Sequence, residues 1–424
     1  MAYLTSLVAV FLSALILNLG NGLLGVILPV RGSLEQFPTV YLGLLGTFYA
    51  GGFVVGCLVC PYLIRRVGHI RAFAVLAALG ANCALLFAIF MHPLPWLLLR
   101  FCFGVALAGL LMVTESWLNE QADNTNRGRV FSTYMLVNSG SVLAGQLMVA
   151  LGDPNGFMLF ALACSLVCTA LIPVGLTTTT APRPPSRVTL RLGRLYRRSP
   201  VAIIGAFLVG VVNGSFNTLG VVFVLSIGFS PVLAAIFLSA AMLGGSLAQW
   251  PAGAASDRMD RRWVVITFAA AGTCMALTMW ASDGGWISDL AAALGFGVQP
   301  LWICLAVGFG LSAYPLYGVL VAHMNDHVDR DGFVEASGGM LLLWGLGAST
   351  GPLLASAAMA MTTPHTLFLV MALGHGSLIG FTLFRMSRRP APATEGREVL
   401  LPAAIGRTTP AAASLDPRAP DESG

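Results

Sequence analysis

The sequence predicts an all-α membrane protein: twelve transmembrane helices in two six-helix bundles, with both termini cytoplasmic. Three observations predict it. First, 57% of the 424 residues are hydrophobic and only 10% are charged. Soluble proteins carry about a quarter charged residues, so the bilayer is the solvent for most of this chain. Second, all 23 basic residues are arginines, and 21 of them fall in alternate gaps between apolar runs. Cations beside membrane segments are retained on the cytoplasmic side. Third, the chain repeats itself at an offset of 192 residues. Asn21-Gly22 falls on Asn213-Gly214, Gly52 on Gly244, and the arginine loop 65–71 on the loop 257–263.

A helix needs about 20 mostly apolar residues to cross the hydrocarbon core. The first run, 5–30, is uncharged and too long for a signal-peptide core, so no cleavable leader is expected. The second, 41–63, ends at Arg65, Arg66 and Arg71. The third, 72–91, and the fourth, 94–117, share Trp96 and Trp117 as interfacial anchors, and Arg127 and Arg129 follow. The fifth, 130–151, and the sixth, 157–176, lead to six arginines between Arg183 and Arg198. The seventh, 201–224, and the eighth, 232–255, end at Arg258, Arg261 and Arg262. The ninth, 263–281, is bounded by Trp263 and Trp280, and the tenth, 299–322, begins near Trp302 and precedes Arg330. The eleventh and twelfth, 334–360 and 365–384, lead to the last six arginines. Trp250 and Trp344 lie away from segment ends and are expected in the interior. Arg31 and Arg100 are the two arginines outside the pattern.

These segments divide the chain into a bundle over 1–176, a cytoplasmic linker over 177–200, a second bundle over 201–385 and a disordered tail over 386–424. The linker opens with threonines and prolines, and its end, Arg191 to Arg198, is expected to form a short basic surface helix. The tail is rich in Ala, Pro and charge. The eight cysteines all lie in apolar runs, where thiols act as small hydrophobic fillers; Cys57 and Cys60 have no partner motif for metal or redox chemistry. The net charge of +5 is topogenic arginine and needs no nucleic-acid partner.

Two six-span halves in the same orientation are the parallel repeat of one large transporter class, with substrate bound near the midplane between the halves. The loops support this. The second reads Gly253-Ala-Ala-Ser-Asp257-Arg258-Met-Asp260-Arg261-Arg262, and the first reads Pro61-Tyr-Leu-Ile-Arg65-Arg66-Val-Gly68-His69. Both resemble the loop signature of the major facilitator superfamily, G-x-L-a-D-R-x-G-R-R. The second copy lacks the second glycine, and the first has Arg65 in place of the aspartate. Gln249-Trp250-Pro251, Asn126-Arg127-Gly128-Arg129 and Tyr314-Pro315 resemble the YcaD-like bacterial branch. The resemblance covers residues 5 to about 385. It implies a secondary transporter of the bacterial inner membrane that works by alternating access, without a cofactor or resident metal. It also implies a monomer that takes a small solute, with protons as the coupling ion.

Arg100 lies within the fourth span, where a cation costs about 2.5–3.5 kcal/mol on insertion scales, so an interior position with a partner is expected. The bland alternative is snorkelling to the outer headgroups. Arg100-Phe-Cys-Phe103-Gly104 also resembles the family's R-x-x-Q-G motif, with Phe103 for glutamine. That resemblance links Arg100 to proton coupling or anion binding. Polar residues mid-span predict a cavity: Asn18, Asn21, Asn138, Gln146, Asn213, Asn217, Tyr314, Tyr317 and Trp344. Each alone also suits a bond to a neighbouring helix. Gly51, Gly52, Gly56, Gly244 and Gly245 predict close helix packing. His375 is expected to be structural.

Glu115 is the one carboxylate set within a span, about 22 Å along the helix from Arg100. It is expected to pair with Arg65, Arg66 or Arg127 in a cytoplasmic gate that also holds Gly68, Asp257, Arg258 and Arg261. A proton-carrier role is the alternative for Glu115. The expected substrate is an anionic or carboxylate-bearing solute drawn to Arg100. The rival readings are a drug or metabolite efflux antiporter and, from another class, a transport-inactive receptor or scaffold. An ATP-driven pump is disfavoured because the chain has no lysine and hence no phosphate-binding loop of the usual kind. A membrane enzyme is disfavoured by the lack of clustered acid, base and nucleophile.

Overall fold

A computed structural model describes residues 2–122, 126–176, 191–328, 332–388, 409, 411 and 412. Most of the linker, Arg330 and most of the tail lie outside these. Among the described residues, twelve helices are long and apolar enough to cross a membrane. The first half holds α1 (Ala2–Leu34), α2 (Thr39–Val67), α3 (His69–Ile89), α4 (Pro93–Gln121) and α5 (Arg127–Leu147). Its sixth span combines α6 (Met158–Thr169) with α7 (Leu171–Gly175). The carbonyl of Ala170, at the break between them, accepts a bond from Ser13 Oγ at 2.5 Å. Next comes α8 (Leu192–Arg198), the short basic helix of the linker. Leu195 packs it onto the second half, and Arg194 pairs with Glu335.

The second half holds α9 (Pro200–Ser226), α10 (Pro231–Arg258), α11 (Arg261–Ala281) and a short α12 (Trp286–Ala293). Its tenth span joins α13 (Val298–Ala313) to α14 (Pro315–Asn325). The break falls at Tyr314-Pro315, because proline has no N–H to continue the ladder. The last spans are α15 (Phe333–Met361) and α16 (Thr366–Arg388). Local sequence sets several starts. Pro93, Pro200 and Pro231 open α4, α9 and α10, and His92, Ser199 and Ser230 accept a bond from a first-turn N–H. Gly68 turns α2 into α3 with φ +82° and ψ 166°, a region open only to glycine.

Close packing is glycine-driven and repeats between the halves. A Cβ at Gly52 on α2 would strike the Phe101 carbonyl of α4, and one at Gly104 on α4 would strike the Tyr49 carbonyl of α2. In the second half Gly244 of α10 faces the Val307 carbonyl of α13, and Gly310 of α13 faces the Ala241 carbonyl of α10. The 192-residue offset thus carries Gly52 onto a residue making the equivalent helix contact. Cys60 fills the same α2–α4 seam, against Gly109 and the Val105 carbonyl.

The apolar core is lopsided. One cluster runs through the first half and continues into the second half only at the end opposite the arginine loops, through residues such as Phe216, Phe223, Phe309 and Phe368. A separate cluster, including Ala206, Val265, Leu316 and Met340, fills the arginine-loop end of the second half. The direct bonds between halves lie on the shared side. Thr47 Oγ donates to the Ser349 carbonyl at 2.7 Å, and Ser349 Oγ donates to the Thr47 carbonyl at 3.0 Å. Ser239 Oγ donates to Gln146 Oε1 at 3.0 Å. Gly43 lies against Ser356, Gly46 against Thr218 and Gly345 against Val54.

Along the same helix faces, toward the arginine loops, the side chains are uncovered. Leu58 and Tyr62 continue the face of Thr47, Gly51 and Val54 on α2, and both are exposed. Trp250 continues the face of Ser239 on α10 and is 82% exposed. This corrects the sequence expectation of an interior Trp250. The ring lies within α10, on the face that Ser239 turns to Gln146, but nothing covers it there. Arg31, the arginine of the opposite end, pairs with Glu35 and bonds the backbone of Pro154, tying α1 to the α5–α6 loop.

Candidate functional site

A cavity of about 130 Å³ lies between the halves near mid-span. Its polar wall in the first half is Asn21, Tyr49, Arg100 and Gln146, and in the second half Asn217, Thr218, Tyr314 and Trp344. Leu28, Pro29, Leu42, Leu45, Leu238 and Met242 supply apolar surface. Glycines admit the backbone of α1 to the wall: a Cβ at Gly22 would strike the Val142 carbonyl of α5.

Arg100 is 6% exposed. Its guanidinium carbon lies 4.0 Å from the centre of the Tyr49 ring. The Tyr49 hydroxyl donates to Asn21 Oδ1 at 2.7 Å, which fixes the ring under the cation. The aromatic face gives the buried guanidinium a cation–π partner, and the planar N–H fork of an arginine matches planar anions such as carboxylates. The second half has a matching pair: the Tyr314 hydroxyl donates to Asn217 Oδ1 at 2.7 Å. Each half therefore presents one tyrosine–amide pair to the cavity.

Of the ten residues expected at the cavity, six line it: Asn21, Arg100, Gln146, Asn217, Tyr314 and Trp344. The other four lie elsewhere. Asn18 is buried and donates back to the Ala14 carbonyl of its own helix at 2.9 Å. Asn138 and Asn213 are buried outside the wall. Tyr317 packs on Trp344, ring centres 6.0 Å apart. Sequence reasoning missed Tyr49 and Thr218. Tyr49 carried the same signal as Tyr314, a tyrosine in mid-span, and was discoverable on that ground.

The expected gate residues divide between the halves. Arg261 is buried, with Nε on Asp326 at 2.7 Å, Nη1 on Ser256 at 2.9 Å, and Asp257 at 3.8 Å. Asp326 was not anticipated. Arg258 and Arg66 are exposed, and Arg65 stacks on Tyr62. Arg127 is partly buried. Glu115 is fully buried, but its hydrogen-bond partners are Tyr134 and Thr409 rather than Arg65, Arg66 or Arg127. The arginines lie at the loop ends, while α4 carries Glu115 into the bundle beside α5.

A family model described as Major Facilitator Superfamily matches residues 10–328. The chain belongs to the major facilitator superfamily. Among superfamily members, it is 25% identical over 363 residues to the MFS-type transporter YcaD of Escherichia fergusonii, covering 84% of this chain and 90% of that one. It is 26% identical over 379 residues to the MFS-type transporter YE1530 of Yersinia enterocolitica, covering 88% and 93%. Solved structures share the superfamily fold. The nucleoside transporter NupG aligns with TM-score 0.74 at 14% identity, over 92% of this chain and all of that one. A D-xylose-proton symporter aligns with TM-score 0.65 at 14% identity, over 93% and 99%. The chain is therefore a multi-pass membrane transport protein of a family that carries small molecules, and not an enzyme.

Proposed function

We propose that the protein is a monomeric secondary active transporter of the bacterial inner membrane. It moves a small anionic or carboxylate-bearing solute by alternating access, with protons as the coupling ion. The observation that carries the reading is the one-sided contact between halves. Bonds and core join them at one end, and exposed faces separate them at the arginine-loop end. With the arginine loops cytoplasmic, this is an inward-facing state whose cavity is sealed from outside. The seal is made of neutral hydrogen bonds, each worth about 0.5–1.5 kcal/mol net, which rocking can exchange for contacts at the other end. The lean toward an anion rests on Arg100, stacked on Tyr49 at the cavity wall.

A thermal-shift screen of purified protein against metabolites and drugs identifies the solute, and counterflow in proteoliposomes tests carriage. A stabilising solute that exchanges across the membrane is expected. Absence of exchange for every solute of a broad panel supports a receptor or scaffold instead. Uptake indifferent to an imposed pH gradient rules out the proton.

A further inference from the structure

Glu115 has no part in the cavity wall. It lies on α4 beyond Arg100, toward the arginine loops, and is fully buried. The adjacent hydroxyls do not serve it: Thr114 donates to the Leu110 carbonyl and Ser116 to the Met112 carbonyl of their own helix. Within the bundle it accepts one hydrogen bond, from the Tyr134 hydroxyl of α5 at 2.9 Å. The other donors come from the far end of the chain. The Thr409 backbone N–H lies 3.0 and 3.2 Å from the two carboxylate oxygens, and the Thr409 hydroxyl also donates to Oε2. Thr409 and Ala412 are buried, and Ala411 packs against the main apolar cluster. The Ala411 N–H to Thr409 Oγ1 and the Ala412 N–H to the Thr409 carbonyl close a tight turn there.

A buried carboxylate with a single donor is unstable, because the lone pairs lost from water are not replaced. The tail replaces them. The backbone N–H and hydroxyl of Thr409 meet the two carboxylate oxygens, and the small Ala411 and Ala412 pack close by. The tail starts from Arg388 at the end of α16 in the second half and docks in the first half. Twenty residues separate Arg388 from Thr409, a reach of about 70 Å, so tether length does not prevent docking in either arrangement of the halves.

We propose that Glu115 and Tyr134 form a docking site for the protein's own C-terminal tail, entered by Thr409, and that docking caps the carboxylate against protons. The inference does not depend on the identity of the transported solute.

The test uses full-length protein in micelles and dicyclohexylcarbodiimide, an apolar reagent that couples to protonated buried carboxyls. Labelling of the Glu115 peptide is read by mass spectrometry, with Glu115→Gln as the blank. Thr409→Pro removes both the N–H and the hydroxyl, whereas Thr409→Ser keeps both. Wild type and Thr409→Ser are expected to label slowly, and Thr409→Pro at least tenfold faster, with similar melting temperatures throughout. Equal labelling of wild type and Thr409→Pro overturns the proposal. Amide hydrogen exchange of the peptide spanning Thr409–Ala412 in wild type provides the second measure. Exchange slowed at least tenfold relative to an unfolded peptide supports docking, and exchange as fast as that peptide overturns it.

Discussion

Arg100 draws its significance from what it lies on. A membrane arginine with no aromatic beneath it would reach for the headgroups; this one lies over the Tyr49 ring, and Tyr49 is held by Asn21. Arg100→Ala is expected to raise the half-saturation concentration for an anionic solute at least tenfold, about 1.4 kcal/mol. An unchanged value in counterflow would end the anion reading. Arg100→Lys should recover part of the loss, because a point charge lacks the planar fork and the stacking. Tyr49→Phe removes one neutral hydrogen bond and should lower stability by about 1 kcal/mol, read as a smaller melting temperature. At this scale the sequence was half legible. Mid-span polarity identified Asn21, Gln146, Asn217 and Tyr314, but equally Asn18, whose amide is satisfied by its own helix. The direction in which an amide points depends on neighbouring helices, and periodicity does not encode it.

Single helices show the same division between packing and gating. Gly51 and Gly52 are adjacent in α2 and point different ways. Gly52 has the α4 backbone against it, and Gly51 has only Ser349 of the other half, 3.6 Å from where a Cβ would stand. Gly52→Ala is expected to destabilise by about 1–3 kcal/mol through overpacking in thermal melting. Gly51→Ala should leave the melting temperature nearly unchanged. At the start of α11 Asp260 accepts from the Arg262 N–H at 3.0 Å and pairs with its guanidinium at 2.8 Å. Burial pushes this carboxyl up, but the Arg262 side chain and amide outweigh it and hold it below its ordinary value near 3.8. A depressed carboxyl stabilises the fold above its unfolded pKa and loses that contribution as pH falls through the folded value. Asp260→Ala should therefore cost about 1–2 kcal/mol near neutrality. The gap between its melting temperature and that of wild type should narrow below about pH 4.

For the molecule as a whole, the closed end is held by reciprocal bonds between Thr47 and Ser349. A Thr47→Cys/Ser349→Cys pair should cross-link on oxidation and stop counterflow, and reduction should restore it. Cross-linking that leaves exchange at the wild-type rate would show that this end need not open. The tail adds a second connection between halves, from α16 back to Glu115. Its composition suggested disorder over 386–424, yet Thr409 and Ala412 are buried and Ala411 packs against the main apolar cluster. Composition averages over the segment, while docking depends on one N–H, one hydroxyl and two methyl groups meeting a carboxylate.

The sequence by itself determined the twelve spans, the two related halves and the arginine-bearing end, because a bilayer demands long apolar helices and long-range charge asymmetry is written residue by residue. It also marked Arg100 as the exception to its own pattern. Only the tertiary structure decided which polar groups share a cavity, which end is closed, and what satisfies Glu115. Those answers depend on the rotation of each helix about its axis and on which half its face meets. Trp250 makes the difference plain: its place away from the segment ends was legible, but its exposure depends on what its helix face meets.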